Sequence, residues 1–316
     1  MSDDIKLSRP DLALDPIHDD RHDLADNPFS RESIPYTIVL PEEGIAAFTY
    51  TWVNKAGEAG AALAIFGPGA GDEPIQQRLP DRKVPDDMNF ANWQIENFSM
   101  RQDLKFKHAD VRWETELATI EFSFDALHPP YAYGSHKDGC PQYTAINRIE
   151  QSGKTKGKIS FKDRVIEFDS FAHRDHSWGS RVWEAFHTYN WYEGQSADGS
   201  IVVHYWRYFA LGRENLRGYV VKDGVMAEVS AIQTDVQFND DLWHQSVSTV
   251  LTDELGRKTT IEAAFYAHHA LPPAESCVLR EGAARASYDG QEGIGWMEVY
   301  WSTEYLNFFK KNGPIK

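Results

Sequence analysis

The chain reads as an all-β protein made of two tandem antiparallel β-barrel or sandwich domains with few short helices. Aromatic and β-branched residues recur in short runs from about Tyr36 onward, and Gly, Asp, Asn and Pro punctuate those runs. Helical periodicity is scarce. At 316 residues the chain suits one large β domain or two ordinary ones, and 41% hydrophobic with 13% aromatic content supplies a packed core.

The elements follow in order. Residues 1–33 are rich in Asp, Pro, Arg and His without periodicity, which predicts an extended arm wrapping the body or a partner subunit; a homodimer is then a possible assembly. Strand runs come next: YTIVL from Tyr36, IAAFTYTWV from Ile45, RWETELATIEFSF from Arg112, KGKISF from Lys156 and DRVIEF from Asp163. Lys162 and Asp163 join the last two as a tight hairpin. The second half is a meander of hairpins. HTYNWYEG and SIVVHYWRYFALG flank QSADG, RGYVV and VMAEVSAI flank Lys222-Asp223-Gly224, and SVSTVLTD and KTTIEAAF flank Glu254-Leu255-Gly256. Short helices are predicted near RVWEAF from Arg181 and in TEYLNFFKK from Thr303. The segment from Gly67 to Asn92 is too long and too rich in Pro, Gly and charge for a hairpin loop, and reads as a lid or subunit contact. A second irregular crossing starts at Leu127. The predicted boundary lies near Glu150, dividing residues 34–150 from 151–316, with a pocket expected where the two β blocks meet.

Composition excludes several functions. A formal charge of −16, from 48 acidic against 32 basic residues, repels phosphate backbones, and no basic patch offsets it, so nucleic-acid binding is set aside. The start lacks the basic and apolar regions of a secretory signal, and no apolar run approaches the about 20 residues that span a bilayer. A cytoplasmic protein without membrane insertion is expected. Cys140 and Cys277 are too few for a disulfide framework and read as reduced thiols.

The densest chemistry lies in His173-Arg174-Asp175-His176-Ser177-Trp178-Gly179. Burying such groups costs several kcal/mol unless they pair with each other or a ligand, so the stretch predicts a supported polar cluster. On an extended backbone His173 and Asp175 share one face and His176 and Trp178 the other. The same parity aligns His187, Tyr189 and Trp191 on one run, and His204, Trp206 and Tyr208 on the next. Paired across QSADG, the two sets form an aromatic and imidazole wall.

The run EQSGKTKGKISFKDRVIEFDSFAHRDHSWGSRVW, from Glu150 to Trp183, resembles the core signature of the AttH-like and carotenoid 1,2-hydratase-like (hydroxyneurosporene synthase-like) superfamily, notably bacterial members with an RDHSWG motif. The resemblance covers roughly residues 140 to 220 and is architectural elsewhere. It implies two lipocalin-like β domains and a pocket for an apolar ligand. Cofactor-independent hydratases belong to the superfamily, and related scaffolds shape pericyclic reactions, so no cofactor is expected.

The residues themselves suggest proton transfer. A carboxylic acid in a low-dielectric pocket has a raised pKa and can protonate an alkene or a leaving hydroxyl, with an imidazole relaying the proton. Asp175 with His176 or His173 supplies that pair, Tyr189 an orienting hydroxyl, and Glu184 a reserve acid. Trp178, Trp191, His204 and Trp206 are candidate substrate walls, since indole faces stabilise a developing cation. Each has a plainer reading: Asp175 pairs with Arg174 or Arg181 to tie down a strand end, His176 is a satisfied core histidine, and Trp178 and Gly179 serve packing. The His173-x-x-His176 spacing matches no β-barrel metal pattern, so no metal is expected; nor is there a phosphate loop, dinucleotide fingerprint or nucleophile elbow. The function expected is a cofactor-independent lyase acting on an apolar or aromatic small molecule, by water addition or elimination or by C–C cleavage that releases a small aldehyde. The alternatives are a non-catalytic binding protein for a hydrophobic small molecule and an assembly protein acting through its acidic surface and arm.

Overall fold

Alternation of buried and exposed side chains, the signature of a strand with one face in a core, runs through most of the chain. The computed structural model describes residues 4–313 and divides into two compact units, Met1–Arg181 and Val182–Lys316.

In the first unit the strands are β1 (Lys6–Leu7), β2 (Ser30–Leu40), β3 (Ile45–Asn54), β4 (Glu58–Phe66), β5 (Ile75–Lys83), β6 (Trp93–Ile95), β7 (Phe98–Gln102), β8 (His108–Glu114), β9 (Ala118–Ala126), β10 (Tyr131–Ala132), β11 (Asn147–Phe161) and β12 (Arg164–Ser180). All of these but β1 form an antiparallel sheet in the order β5-β4-β3-β2-β12-β11-β9-β8-β7-β6, with β10 added on β11. Its centre is the long hairpin β11–β12, turned at Lys162, whose φ of 51° marks the tight connection expected there. Ile34, Tyr36, Trp93, Trp113, Ile120 and Phe124 are among the side chains of its core.

Glu150 lies inside β11, so the unit boundary falls at Arg181/Val182 instead of near Glu150. The Gly67–Asn92 segment is partly regular, because it contains β5 and a 3-10 turn at Phe90–Asn92. The N-terminal arm folds back on its own unit through 3-10 turns at Pro10–Leu12 and Pro16–Asp19. Leu24 then packs with Phe106, Ile149 and Trp178. Residues 1–3 of the arm lie outside the described residues.

In the second unit the strands are β13 (Phe186–Ser196), β14 (Val202–Ala210), β15 (Arg213–Lys222), β16 (Val225–Phe238), β17 (His244–Asp253), β18 (Lys258–Ala274), β19 (Cys277–Tyr288) and β20 (Gln291–Ser302), followed by helix α1 (Thr303–Asn312). Each pairs with the next, β20 returns to β13, and the result is a closed eight-stranded up-and-down barrel. Tyr192, Tyr205 and Tyr288 fill its interior with apolar neighbours. Gly194 and Gly295, directly paired, leave room for two of these rings: a Cβ on Gly194 would stand 1.8 Å from the Tyr288 hydroxyl, and one on Gly295 2.3 Å from that of Tyr192. Ser302 caps α1 by accepting a hydrogen bond from the Tyr305 N–H. The helix expected near Arg181 is only a 3-10 turn, Trp183–Ala185. Among the described residues no helix is long and apolar enough to cross a membrane, and Cys140 and Cys277 are not joined in a disulfide.

Candidate functional site

The heptad His173–Gly179 lies within β12, and β11 runs beside it with Ser152 opposite His173, Glu150 opposite Asp175 and Ile149 opposite His176. Side-chain alternation therefore puts His173 and Asp175 on one face with Arg148, Glu150 and Ser152. Arg174, His176 and Trp178 take the opposite face, that of the core residue Ala172. Both faces are buried.

On the first face, Asp175 Oδ2 lies 3.1 Å from Arg148 Nη1, while Oδ1 is buried without a hydrogen-bond partner. The direct ion pair is made with Arg148, which β11 brings alongside, in place of Arg174 or Arg181. Burial pushes the Asp175 carboxyl up to about 6, against the attraction of Arg148. Glu150 accepts hydrogen bonds from the Tyr133 hydroxyl at 2.8 Å and from His173 Nε2 at 2.9 Å, and His173 Nδ1 meets Ser152 Oγ at 2.9 Å. Burial lowers the His173 imidazole to about 3, so the ring is neutral.

On the second face, Arg174 donates to Asp19 at 2.9 Å, to Gln102 at 2.6 Å and to Gln151 at 2.7 Å. It anchors the arm, from which Asp19 comes. His176 Nε2 and His22 Nδ1 converge on Glu32 Oε1 at 2.8 and 2.7 Å, and the His22 backbone N–H donates to Glu32 Oε2 at 2.9 Å. Burial raises the Glu32 carboxyl, but the two imidazole hydrogen bonds outweigh it and hold the group below the usual carboxylate range. Trp178 stacks flat on His22 with ring centroids 3.6 Å apart. Gly179 has a φ of 121°, and a Cβ there would stand 2.4 Å from the Ile146 nitrogen, so glycine alone fits behind the tryptophan.

The second unit carries an aromatic wall. Tyr189, Trp191 and Glu193 pair with Tyr208, Trp206 and His204 on β14, and on the other side with Tyr300, Glu298 and Trp296 on β20. By strand parity these side chains point out of the barrel, away from Tyr192 and Tyr205, yet nearly all are buried. Trp206 stacks on Tyr208 at 4.1 Å and meets Tyr189 edge-on at 5.7 Å, and Trp191 contacts His204 at 5.2 Å. A register shift between Phe186 and Thr188 removes His187 from the wall and exposes it. Glu184 is exposed too, on the 3-10 turn, where it accepts a hydrogen bond from Ser276 at 2.8 Å.

Within this wall Glu281 and Glu298 stand directly opposite each other on β19 and β20. Glu281 is 1% exposed and accepts a hydrogen bond from Trp296 Nε1 at 2.7 Å. Glu298 is half-buried and accepts one from the Tyr189 hydroxyl. Burial, then repulsion by Glu298, holds the Glu281 carboxyl well above the usual carboxylate range.

Sequence reading singled out none of Arg148, Glu150, His22, Glu32, Glu281 and Glu298. Parity alone flags Glu281 and Glu298 as outward acids on apolar strands, but only the register pairs them. His22, Glu32 and His176 also form the donor set of the first unit best suited by residue type to a transition metal.

No curated protein matches the sequence. Solved structures share the fold. A Nitrosomonas europaea protein designated AttH aligns with a TM-score of 0.67 and 14% identity, over 93% of this chain and 98% of that one. CghA in complex with Sch210972 aligns with a TM-score of 0.64 and 12% identity, over 86% of this chain and 88% of that one. Kievitone hydratase from Nectria haematococca aligns with a TM-score of 0.62 and 9% identity, over 94% of each chain. At such identities the likeness is one of fold, and the architecture is AttH-like. The family described as a domain of unknown function, DUF7064, matches residues 15–303, and the chain belongs to that family.

Proposed function

We propose that the protein is a lyase of the hydratase type, transferring a proton to or from an apolar or aromatic small molecule at the aromatic wall of its second unit. The observation that carries this reading is the Glu281–Glu298 pair set among Trp191, Trp206, Trp296 and Tyr189. A carboxyl that stays protonated near neutral pH can protonate an alkene or a leaving hydroxyl, and its ionised form can take the proton back. Glu281 is the acid. Glu298 faces it across the strand pair, held by the Tyr189 hydroxyl, and its half-exposed side chain opens the pair toward solvent. The indole faces of Trp191 and Trp206 stabilise positive charge developing on the substrate. Water then adds or leaves, or a C–C bond breaks to release a small aldehyde. Two proteins of this fold support the reading by their names: one is kievitone hydratase, and the other, CghA, was solved with Sch210972.

The test is a cofactor-free screen of terpenoid, steroid and lignin-derived phenolic compounds by thermal shift and mass spectrometry, on wild type, Glu281→Gln and Asp175→Asn. The expected result is a compound that stabilises wild type and Glu281→Gln alike, with conversion slowed at least about 100-fold in the variant. Conversion lost only in Asp175→Asn moves the acid to the first unit. Binding by all three without conversion makes the chain a binding protein.

A further inference from the structure

We propose that His22, Glu32 and His176 bind a divalent transition-metal ion, Zn²⁺ by the chemistry of the donors, which staples the N-terminal arm to the sheet of the first unit. Their ligand atoms lie within 4.8 Å of one another, although the three residues come from the arm, from β2 and from β12. Two imidazole nitrogens and one carboxylate oxygen suit zinc and its neighbours and do not suit magnesium or calcium, which prefer all-oxygen sites. Water completes the coordination.

Two further features favour a cation. Glu32 is 0% exposed, and its side-chain partners among the described residues are the two imidazoles, with no arginine or lysine against it. The two imidazoles already stabilise this buried carboxylate, and a divalent ion held among the three groups adds a fixed positive charge. Supporting contacts are in place around His22. His22 Nε2 meets His18 Nδ1 at 3.0 Å, the His22 ring lies flat on Trp178, and the His22 backbone N–H fixes Glu32 Oε2. Such outer contacts orient metal ligands. The nitrogens now stand 2.7 and 2.8 Å from Glu32 Oε1, whereas tetrahedral ligands about 2.0–2.1 Å from one ion lie about 3.3 Å apart. An opening of about half an ångström, taken up by the arm, accommodates the ion.

The experiment uses the full chain, stripped with chelator, incubated with ZnCl₂ or CoCl₂, desalted, and assayed for bound metal by mass spectrometry and for the visible d–d absorption of cobalt. Wild type is expected to retain about one equivalent, with a cobalt band, and to melt several degrees lower after chelation. His22→Gln, on the arm and outside the strands, and His176→Gln are expected to fall below about 0.1 equivalent, lose the cobalt band and become insensitive to chelator. Circular dichroism of His22→Gln confirms that both units are folded. Wild type retaining under about 0.1 equivalent overturns the proposal, as does full retention in folded His22→Gln. None of these readouts depends on catalysis, so the result stands apart from the fate of the lyase reading.

Discussion

Single side chains in the RDHSWG stretch have roles set by what they touch. Gly179 is the plainest case, since its positive φ and the Ile146 nitrogen both exclude a Cβ. Gly179→Ala should cost about 2–4 kcal/mol in urea unfolding, from backbone strain plus overpacking. A loss under about 0.5 kcal/mol would show that the backbone relaxes freely there. Arg174 donates through Nη1 to Asp19 and Gln102 and through Nη2 to Gln151, and lies over Phe124, which is the contact set of an anchor. Asp19→Ala leaves that guanidinium buried with its countercharge gone, and about 3–5 kcal/mol of stability should disappear. Asp175 keeps a buried carboxylate oxygen, Oδ1, without a hydrogen-bond partner.

Paired strands explain why polar groups far apart in sequence meet. Hairpin β11–β12 aligns Arg148, Glu150 and Ser152 with Ser177, Asp175 and His173, so one register assembles the strand-borne part of the network on that face. A slip of one residue would send every member to the other face. In the barrel, the facing glycines of β13 and β20 hold the Tyr192 and Tyr288 hydroxyls 2.9 Å apart. Gly194→Ala should destabilise by about 1–3 kcal/mol, and Tyr288→Phe in the same chain should recover part of that loss by removing the clashing oxygen. Strict additivity of the two substitutions in denaturant titrations would contradict this packing account.

Across the described chain, several imidazoles are buried neutral, and this sets the response to acid. Burial lowers His128 and His173 to about 3 and His269 to about 4, all from an unfolded value of 6.5. The unfolded chain therefore binds more protons between these values, so the stabilising contribution is full above pH 6.5 and is lost as pH falls toward 3. Melting temperature should drop steeply from pH 6.5 to 4. His173→Gln should flatten the slope by about 1.4 kcal/mol per pH unit, the share of one proton. An unchanged slope would show that His173 is charged in the folded protein.

The sequence by itself determined the all-β class, most hairpins and the place of the terminal helix, because strand alternation, turn residues and caps are local properties of the chain. It also located the polar heptad and the aromatic runs of β13 and β14, and the parity of His173 and Asp175 against His176 and Trp178 followed from strand geometry. Only the tertiary structure decided the partners. Arg148 answers Asp175, Glu32 answers His176, and Glu298 faces Glu281, through registers and an arm that join residues far apart in the chain. The boundary at Arg181 escaped sequence reading for the same reason, since β11 and β12 belong to the sheet that β2 completes and not to the block that follows them. Periodicity records which face a residue takes; what lies across from that face is fixed by long-range pairing, which leaves no local trace in one sequence.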